Sequence, residues 1–180
     1  MSTRQHSSSG VFWHIRPATR EDALSYQAYM NEIGGESDYL TFGRNEYGRP
    51  VEEVAAMIDA MSGKENELFI LAFAEDRLIG ALMLESGHRP RVRHVAELSI
   101  TLRREFWGRG VGSALMDHSM AWLRRTGTIA KVNLRVREDH ERAIKLYERK
   151  GFVSEGVSSR ALYTGGQYHA VRHMGLTVDS

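Results

Sequence analysis

Apolar residues recur along this chain at two spacings, and the points where one gives way to the other outline its elements. Residues 11–16 alternate as a first strand until Pro17 breaks the run. Thr19 followed by Asp22 has the form of a helix N-terminus and predicts a helix to about Met30. Residues 34–48 read as a long loop with a helical turn near residues 38–42. Pro50 suits the first turn of a second helix, in which Val51, Val54, Ala55, Ile58 and Met61 recur at helical spacing.

Three strands follow. The apolar run Leu68–Ala74 is joined through the polar turn Glu75, Asp76, Arg77 to residues 78–85, which is a hairpin signal. Residues 87–91, with Pro90, make a second connection. Residues 94–102 alternate, with Val95, Glu97, Ser99 and Thr101 on one face and Ala96, Leu98, Ile100 and Leu102 on the other. A glycine-rich loop leads into a helix over about residues 110–125. Lys131–Arg137 is a strand, and Asp139 is placed to cap a helix running to Lys150. That helix carries the stripe Ala143, Ile144, Leu146, Tyr147, and Gly151 stops it as a left-handed cap. Residues 152–163, the turn Thr164, Gly165, Gly166, and residues 167–178 form a final hairpin. With no repeat and no compositional break, this order predicts one α/β domain over residues 11–180, a mixed sheet with helices on its faces. Residues 1–10 are polar and serine-rich, lack the apolar core of a signal peptide, and are expected to form a flexible tail.

The chain of 180 residues is long enough for one domain with a sizeable core. A net charge of +1 with no Lys/Arg block offers no footprint for nucleic acid. The absence of cysteine excludes disulfides, thiolate metal sites and a cysteine nucleophile, and fits a reducing cytoplasm. No apolar run approaches the roughly 18 residues that span a bilayer, so no membrane partner is expected. His169 and His173 are four apart on a predicted strand without a third ligand, so no metal is expected. No Gly-x-Ser-x-Gly elbow supports a hydrolase triad.

The loop Trp107, Gly108, Arg109, Gly110, Val111, Gly112, Ser113 joins a predicted strand to a predicted helix. A helix start leaves N–H groups unpaired and carries partial positive charge, and glycine lets that backbone approach an anion. A phosphate or pyrophosphate is the natural guest; a plain tight turn is the other reading. A Walker loop would need Lys-Ser/Thr after its last glycine, and a dinucleotide fingerprint would need a third glycine where Leu115 stands. The pattern resembles the acyl-CoA loop of the GNAT acetyltransferase superfamily, Gln/Arg-x-x-Gly-x-Gly/Ala, with Trp107 at the Gln/Arg position and Gly110 and Gly112 at the small ones. Downstream, residues 139–152 resemble the family's Asn-x-x-Ala-x-x-Leu-Tyr-x-x-x-Gly-Phe helix, with His140 in place of Asn and Ala143, Leu146, Tyr147, Gly151 and Phe152 matching. The element order matches across nearly the whole chain.

The resemblance implies the GNAT fold, a mostly antiparallel sheet of about seven strands with four helices, its fourth and fifth strands splayed for the cofactor. It implies acetyl-CoA as co-substrate, held by Ile100, Thr101, Leu102, the whole loop from Trp107 through Gly108, Arg109, Gly110, Val111 and Gly112 to Ser113, and by His140, Ala143 and Tyr147. An alkyl ammonium must lose a proton before it attacks, and Glu97 is the candidate base, a water chain or a purely structural glutamate being the alternatives. Tyr147 is the candidate acid for the leaving thiolate, or else a core ring. Arg103, Arg104 and Arg109 cluster around the loop as solvated groups or phosphate contacts. Acidic and aromatic residues of the long loop, Glu36, Tyr39 and Phe42, suit recognition of a cationic amine. Residues 160–168 resemble bacterial amino-acid and polyamine acetyltransferases. The expected function is acetyl transfer to a primary amine by direct attack in a ternary complex, a small molecule being favoured over a protein N-terminus. Relatives commonly dimerise, so a homodimer is expected. The alternative is a non-catalytic CoA-binding regulatory module: the departures at Trp107 and His140 favour it, and retention of Glu97 and Tyr147 argues for an enzyme.

Overall fold

The computed structural model describes residues 3–6, as backbone, and residues 12–178. Its strands are β1 (Thr3–His6), β2 (Phe12–Pro17), β3 (Leu68–Ala74), β4 (Arg77–Ser86), β5 (Val95–Leu102), β6 (Lys131–Arg137), β7 (Val153–Thr164) and β8 (Gln167–Thr177). The helices are α1 (Ala23–Ile33), α2 (Val51–Met61), α3 (Val111–Thr126) and α4 (Glu141–Arg149). The strands form one sheet in the order β1-β2-β3-β4-β5-β6-β8-β7. Every neighbouring pair is antiparallel except β5 and β6, which run parallel. The seven expected strands and four helices are all present. The eighth strand is β1, which pairs with β2 from Thr3↔Ile15 to His6↔Phe12. That part of the expected tail therefore belongs to the sheet, while residues 1, 2 and 7–11 lie outside the described residues.

Two apolar layers sandwich the sheet. Tyr26, Tyr29, Met30 and Ile33 of α1 and Val54, Ile58 and Met61 of α2 pack with Phe69, Leu71 and Phe73 on one face. Leu115, Met116 and Leu123 of α3 and Ile144 of α4 pack with Ile70, Leu82, Leu98 and Val132 on the other. This is why β3 is buried at every position and reads as an unbroken apolar run.

Side-chain ties move several boundaries. The Asp22 carboxylate accepts from the Thr19 N–H at 2.8 Å and from the Arg16 guanidinium at 2.7 and 2.6 Å. Residues Arg20–Asp22 form a short 3-10 turn, after which α1 continues to Ile33. Asp139 does not cap α4, because the Arg137 guanidinium grips its carboxylate at 2.6 and 2.8 Å, and His140 takes the N-cap position. Residues 38–42 form turns and bends, not a helical turn. Gly165 and Gly166, both at positive φ, close the two-residue turn between β7 and β8. No helix among the described residues is long and apolar enough to cross a membrane.

Candidate active site

Parallel β5 and β6 pair at only three positions, Val95↔Lys131, Ala96↔Val132 and Glu97↔Asn133. Beyond them the two strands part, although β5 stays paired with β4 to Leu102 and β6 with β8 to Arg137. The gap opens into a cleft of about 1320 Å³. The Arg103 N–H points to β4, donating to the Ile79 carbonyl at 2.9 Å. By the two-residue period of a strand, the backbone groups of Leu98, Ile100 and Leu102 face the gap, where β6 no longer meets them. The Leu102 carbonyl there accepts the Trp107 indole N–H at 2.8 Å. The indole at the Gln/Arg position thus ties the loop to the strand it follows.

The glycine loop lies past the open end of this gap. Gly108 and Gly110 adopt φ of 76° and 87°, a region that suits glycine, and Gly110 is the N-cap of α3. The Ala114 N–H makes the first bond of the helix, to the Gly110 carbonyl at 3.0 Å, and the N–H groups of Val111, Gly112 and Ser113 have no acceptor among the described residues. A Cβ on Gly110 would meet nothing within 4 Å, whereas one on Gly108 would run into the Arg142 guanidinium. Unpaired donors, a helix N-terminus, open space and a neighbouring guanidinium together fit a diphosphate.

Not every expected residue faces the cleft. Trp107, Gly108, Gly110, Gly112, Ser113, Ile100, Thr101, Leu102, His140, Ala143, Tyr147, Glu97, Tyr39 and Phe42 line it. The Val111 side chain is sealed in the core, and Arg109 lies over the Phe106 ring at 5.8 Å, outside the cleft lining. Arg103 is neither solvated nor free for phosphate: it is buried, donates to the Leu78 carbonyl at 2.9 Å, and pairs with Glu32 at 2.7 Å and Glu36 at 3.3 Å. Glu36 also accepts the Arg104 N–H at 2.7 Å, so this carboxylate is spent on structure and does not reach the cleft.

From Glu36 the long loop crosses to the far side of the gap. There the Asp38 carbonyl accepts from Arg137 at 2.9 Å, and the Arg137 guanidinium stands 4.5 Å over the Tyr39 ring. Tyr39 stacks on His140 with ring centroids 3.8 Å apart and planes 13° from parallel; the Trp107 ring is 5.9 Å from the imidazole and tilted by 38°. Burial holds the His140 ionisation below the ordinary imidazole range, Asp139 opposing and Arg137 and Arg142 assisting. The loop is thus a strap, tied to the residues after β5 at one end and to the end of β6 and His140 at the other.

Tyr147 is buried beside Phe152, ring centroids 6.0 Å apart, and its hydroxyl has no hydrogen-bond partner among the described residues. Burial alone pushes its ionisation well above the ordinary phenol range. On the α1 side, Glu97 stands at the last paired position of β5, accepting from the Asn133 amide at 3.1 Å. Glu85 lies directly across β4 from it and also lines the cleft. Thr101 shares its hydroxyl with Tyr29 at 3.1 Å. Sequence reasoning missed Glu85, Asn133, Arg142, Ser158 and His173, all of which line the cleft. Glu85 could have been found by counting register through the β4–β5 pair; the others need the sheet order.

Comparison with known proteins agrees with this geometry. The chain is 32% identical over 103 residues to the L-amino acid N-acetyltransferase AaaT of Escherichia coli (strain K12), covering 55% of this chain and 61% of the relative. It is 27% identical over 107 residues to a spermidine N(1)-acetyltransferase of Vibrio cholerae, covering 59% and 60%. The matches therefore span about three fifths of the length of these two relatives. The crystal structure of a GNAT-family acetyltransferase from Streptococcus pneumoniae superposes with a TM-score of 0.89 at 27% identity, over 93% of this chain and 99% of that one. A family profile matches residues 35–152, a stretch that holds the strap, both splayed strands, the glycine loop and α4, and the chain belongs to the acetyltransferase (GNAT) family.

Proposed function

We propose that this protein transfers an acetyl group from acetyl-CoA to the primary amine of a small molecule, by direct attack in a ternary complex. The observation that carries the reading is the parting of β5 and β6 after three residue pairs, with a helix N-terminus beyond the open end and two facing carboxylates where the gap begins. Acetyl-CoA supplies an activated thioester and a diphosphate.

The chain's own groups do the rest. The N–H groups of Val111, Gly112 and Ser113 receive the diphosphate, with Arg142 beside them. The gap-facing N–H of Ile100 is available to a carbonyl oxygen on which negative charge develops. Glu85 and Glu97 draw a cationic amine to the α1 side of the gap, where Tyr39 and Phe42 of the strap offer aromatic surface. Glu97 is the nearest carboxylate to the point of divergence and is read as the group that receives the ammonium. Tyr147, kept protonated by burial, is placed on α4 to give a proton to departing sulfur. In a chain without cysteine, no thiol is available to carry an acyl intermediate.

The test is release of free thiol from acetyl-CoA against pooled amino acids, polyamines, short peptides and aminoglycosides, alongside calorimetric titration with coenzyme A. Turnover on a small amine is expected. Tight binding of the coenzyme with no turnover on any amine would turn the reading into that of a regulatory module, and no binding would remove both.

A further inference from the structure

On the acceptor side of the cleft stands a pair that the reading above leaves unused. Ser158 Oγ and His173 Nε2 are 2.8 Å apart. The two come from neighbouring strands, β7 and β8, and both line the cleft. His173 is half-buried and Ser158 is exposed. Directly across β8 from His173 is Arg135 of β6, and two residues before Arg135 is Asn133, the partner of Glu97. Alternation puts Asn133, Arg135 and Arg137 on one face of β6, the face on which Arg137 meets the strap. His173 therefore shares the sheet face of Glu97, where the amine would lie.

We infer that His173 is the general base that takes the proton from the acceptor ammonium, with Ser158 fixing its tautomer. The inference rests on the acetyltransfer reading. Ser158 engages Nε2, and Nδ1 has no partner among the described residues. If the Ser158 oxygen accepts the Nε2 proton, Nδ1 is the basic nitrogen. Chemistry favours imidazole for this task. The gap between an alkyl ammonium near pKa 10 and an imidazolium is about two units smaller than that to a carboxylic acid, so the proton moves less steeply uphill. The carboxylates Glu85 and Glu97 then hold the cation in place and need not become protonated.

The steps balance. One ammonium N–H bond breaks and an Nδ1–H bond forms. The freed lone pair makes the carbon–nitrogen bond, the carbon–sulfur bond breaks, and its electron pair leaves on sulfur. The nitrogen sheds its second proton as the amide forms, the sulfur gains one, and the imidazolium gives its Nδ1 proton to water, which restores the Nε2–H tautomer held by Ser158. Among the charged groups that line the cleft with His173 are Arg135 and Arg137 on β6, Glu155 on β7, Glu97 on β5 and Glu85 on β4. Glu155 is already ion-paired with Lys131.

The test compares wild type, His173→Gln, Ser158→Ala and His140→Gln, using the best amine from the panel and a fluorinated analogue whose nitrogen is neutral at pH 7. For the ordinary amine, kcat/KM of His173→Gln is expected to fall about 100-fold at pH 7, at the low end of general-base effects, and to recover as pH rises toward 10. For the fluorinated amine the variant should match wild type, because no proton need be removed first. His140→Gln should leave the ratio of kcat/KM between the two amines as in wild type, because His140 takes no proton from the amine. Ring signals of His173 in NMR spectra of the coenzyme A complex should shift on adding amine with no acyl donor present. Full activity of a folded His173→Gln on the ordinary amine, an equal loss on both amines, or unmoved ring signals would each overturn the role. A wild type that turns over no amine would instead sink the acetyltransfer reading itself.

Discussion

Replacing Tyr147 by phenylalanine separates what the ring contributes from what the hydroxyl contributes. The ring is buried among core residues of the α3–α4 face, and phenylalanine keeps its volume and its contact with Phe152. The hydroxyl has no protein partner among the described residues, and the ring borders the cleft. A buried polar group without a partner costs about 1–3 kcal/mol, and access to cleft water brings this toward the low end. The variant should therefore be as stable as wild type or more stable by up to about 1 kcal/mol, which for a chain of this size is a rise of about 2–4 °C in Tm. Activity should move the other way. A thiol with a reference pKa near 8.5 can leave without help, so the loss in kcat should sit near 10²-fold, the low end for acid catalysis. Because burial raises the Tyr147 ionisation, wild type should show no fall in kcat up to about pH 9 from this group. Calorimetry and steady-state thiol release on the same preparations measure both quantities. A phenylalanine variant with wild-type kcat would reduce Tyr147 to a packing residue. One that loses 2 kcal/mol or more of stability would mean that the hydroxyl holds the fold.

Two further outcomes follow from the strap and the loop. His140 is held neutral by burial, so its folded ionisation lies below the unfolded one, and the stability it contributes is complete above about pH 6.5 and lost as pH falls through the lowered value. Hydrogen exchange over residues 36–42 should accelerate on acidification, and His140→Phe, which keeps a ring under Tyr39, should abolish that response; an unchanged response in the variant would show that the stack is not the latch. Arg142→Ala removes the guanidinium beside Gly108 and should weaken coenzyme A binding about 10-fold, with a shallower salt dependence in calorimetric titrations; an unaltered Kd would place Arg142 outside the phosphate site.

Periodicity made many elements legible: β6 alternates because it buries one face, and the helices turn apolar stripes toward the sheet. The stripe Val54, Ile58 and Met61 and the unbroken run of β3 follow directly from that burial. The glycine loop was legible for a different reason: a chain that reverses tightly between strand and helix needs residues such as Gly108 and Gly110 that accept positive φ. Much of what stayed hidden depends on contacts far apart in sequence. The bond from Arg137 to the Asp38 carbonyl joins residues 99 apart. Asp139 has the chemistry of an N-cap, and only the reach of Arg137 two residues earlier diverts it. Arg103 looks like its neighbour Arg104 in sequence, yet the 3-10 turn at Arg104–Phe106 leaves Arg103 facing inward, against Glu32 and the ring of Tyr29. His173 and Ser158 meet only because β8 lies between β6 and β7, an order that no local pattern encodes.

The strap bears on how the gap between β5 and β6 keeps its width. Hydrogen bonds between the two strands end at Glu97, so nothing in the sheet itself fixes how far apart Leu102 and Arg137 lie. Glu36 is bound to Arg103 and to the Arg104 N–H on one side, while Asp38 and Tyr39 are bound to Arg137 and His140 on the other. The four loop positions 36–39 therefore span the mouth, and an extended chain covers only about 3.3–3.6 Å per residue. Such a short tie limits how far the strand ends can separate. The departures of Trp107 and His140 from the family's usual polar residues then have a common physical account. One indole anchors the glycine loop to Leu102, and one imidazole, stacked on Tyr39, joins the start of α4 to the strap. A side chain without a ring at position 140 could bond a ligand but would give up the stack on Tyr39, leaving Arg137 to hold the strap on the β6 side.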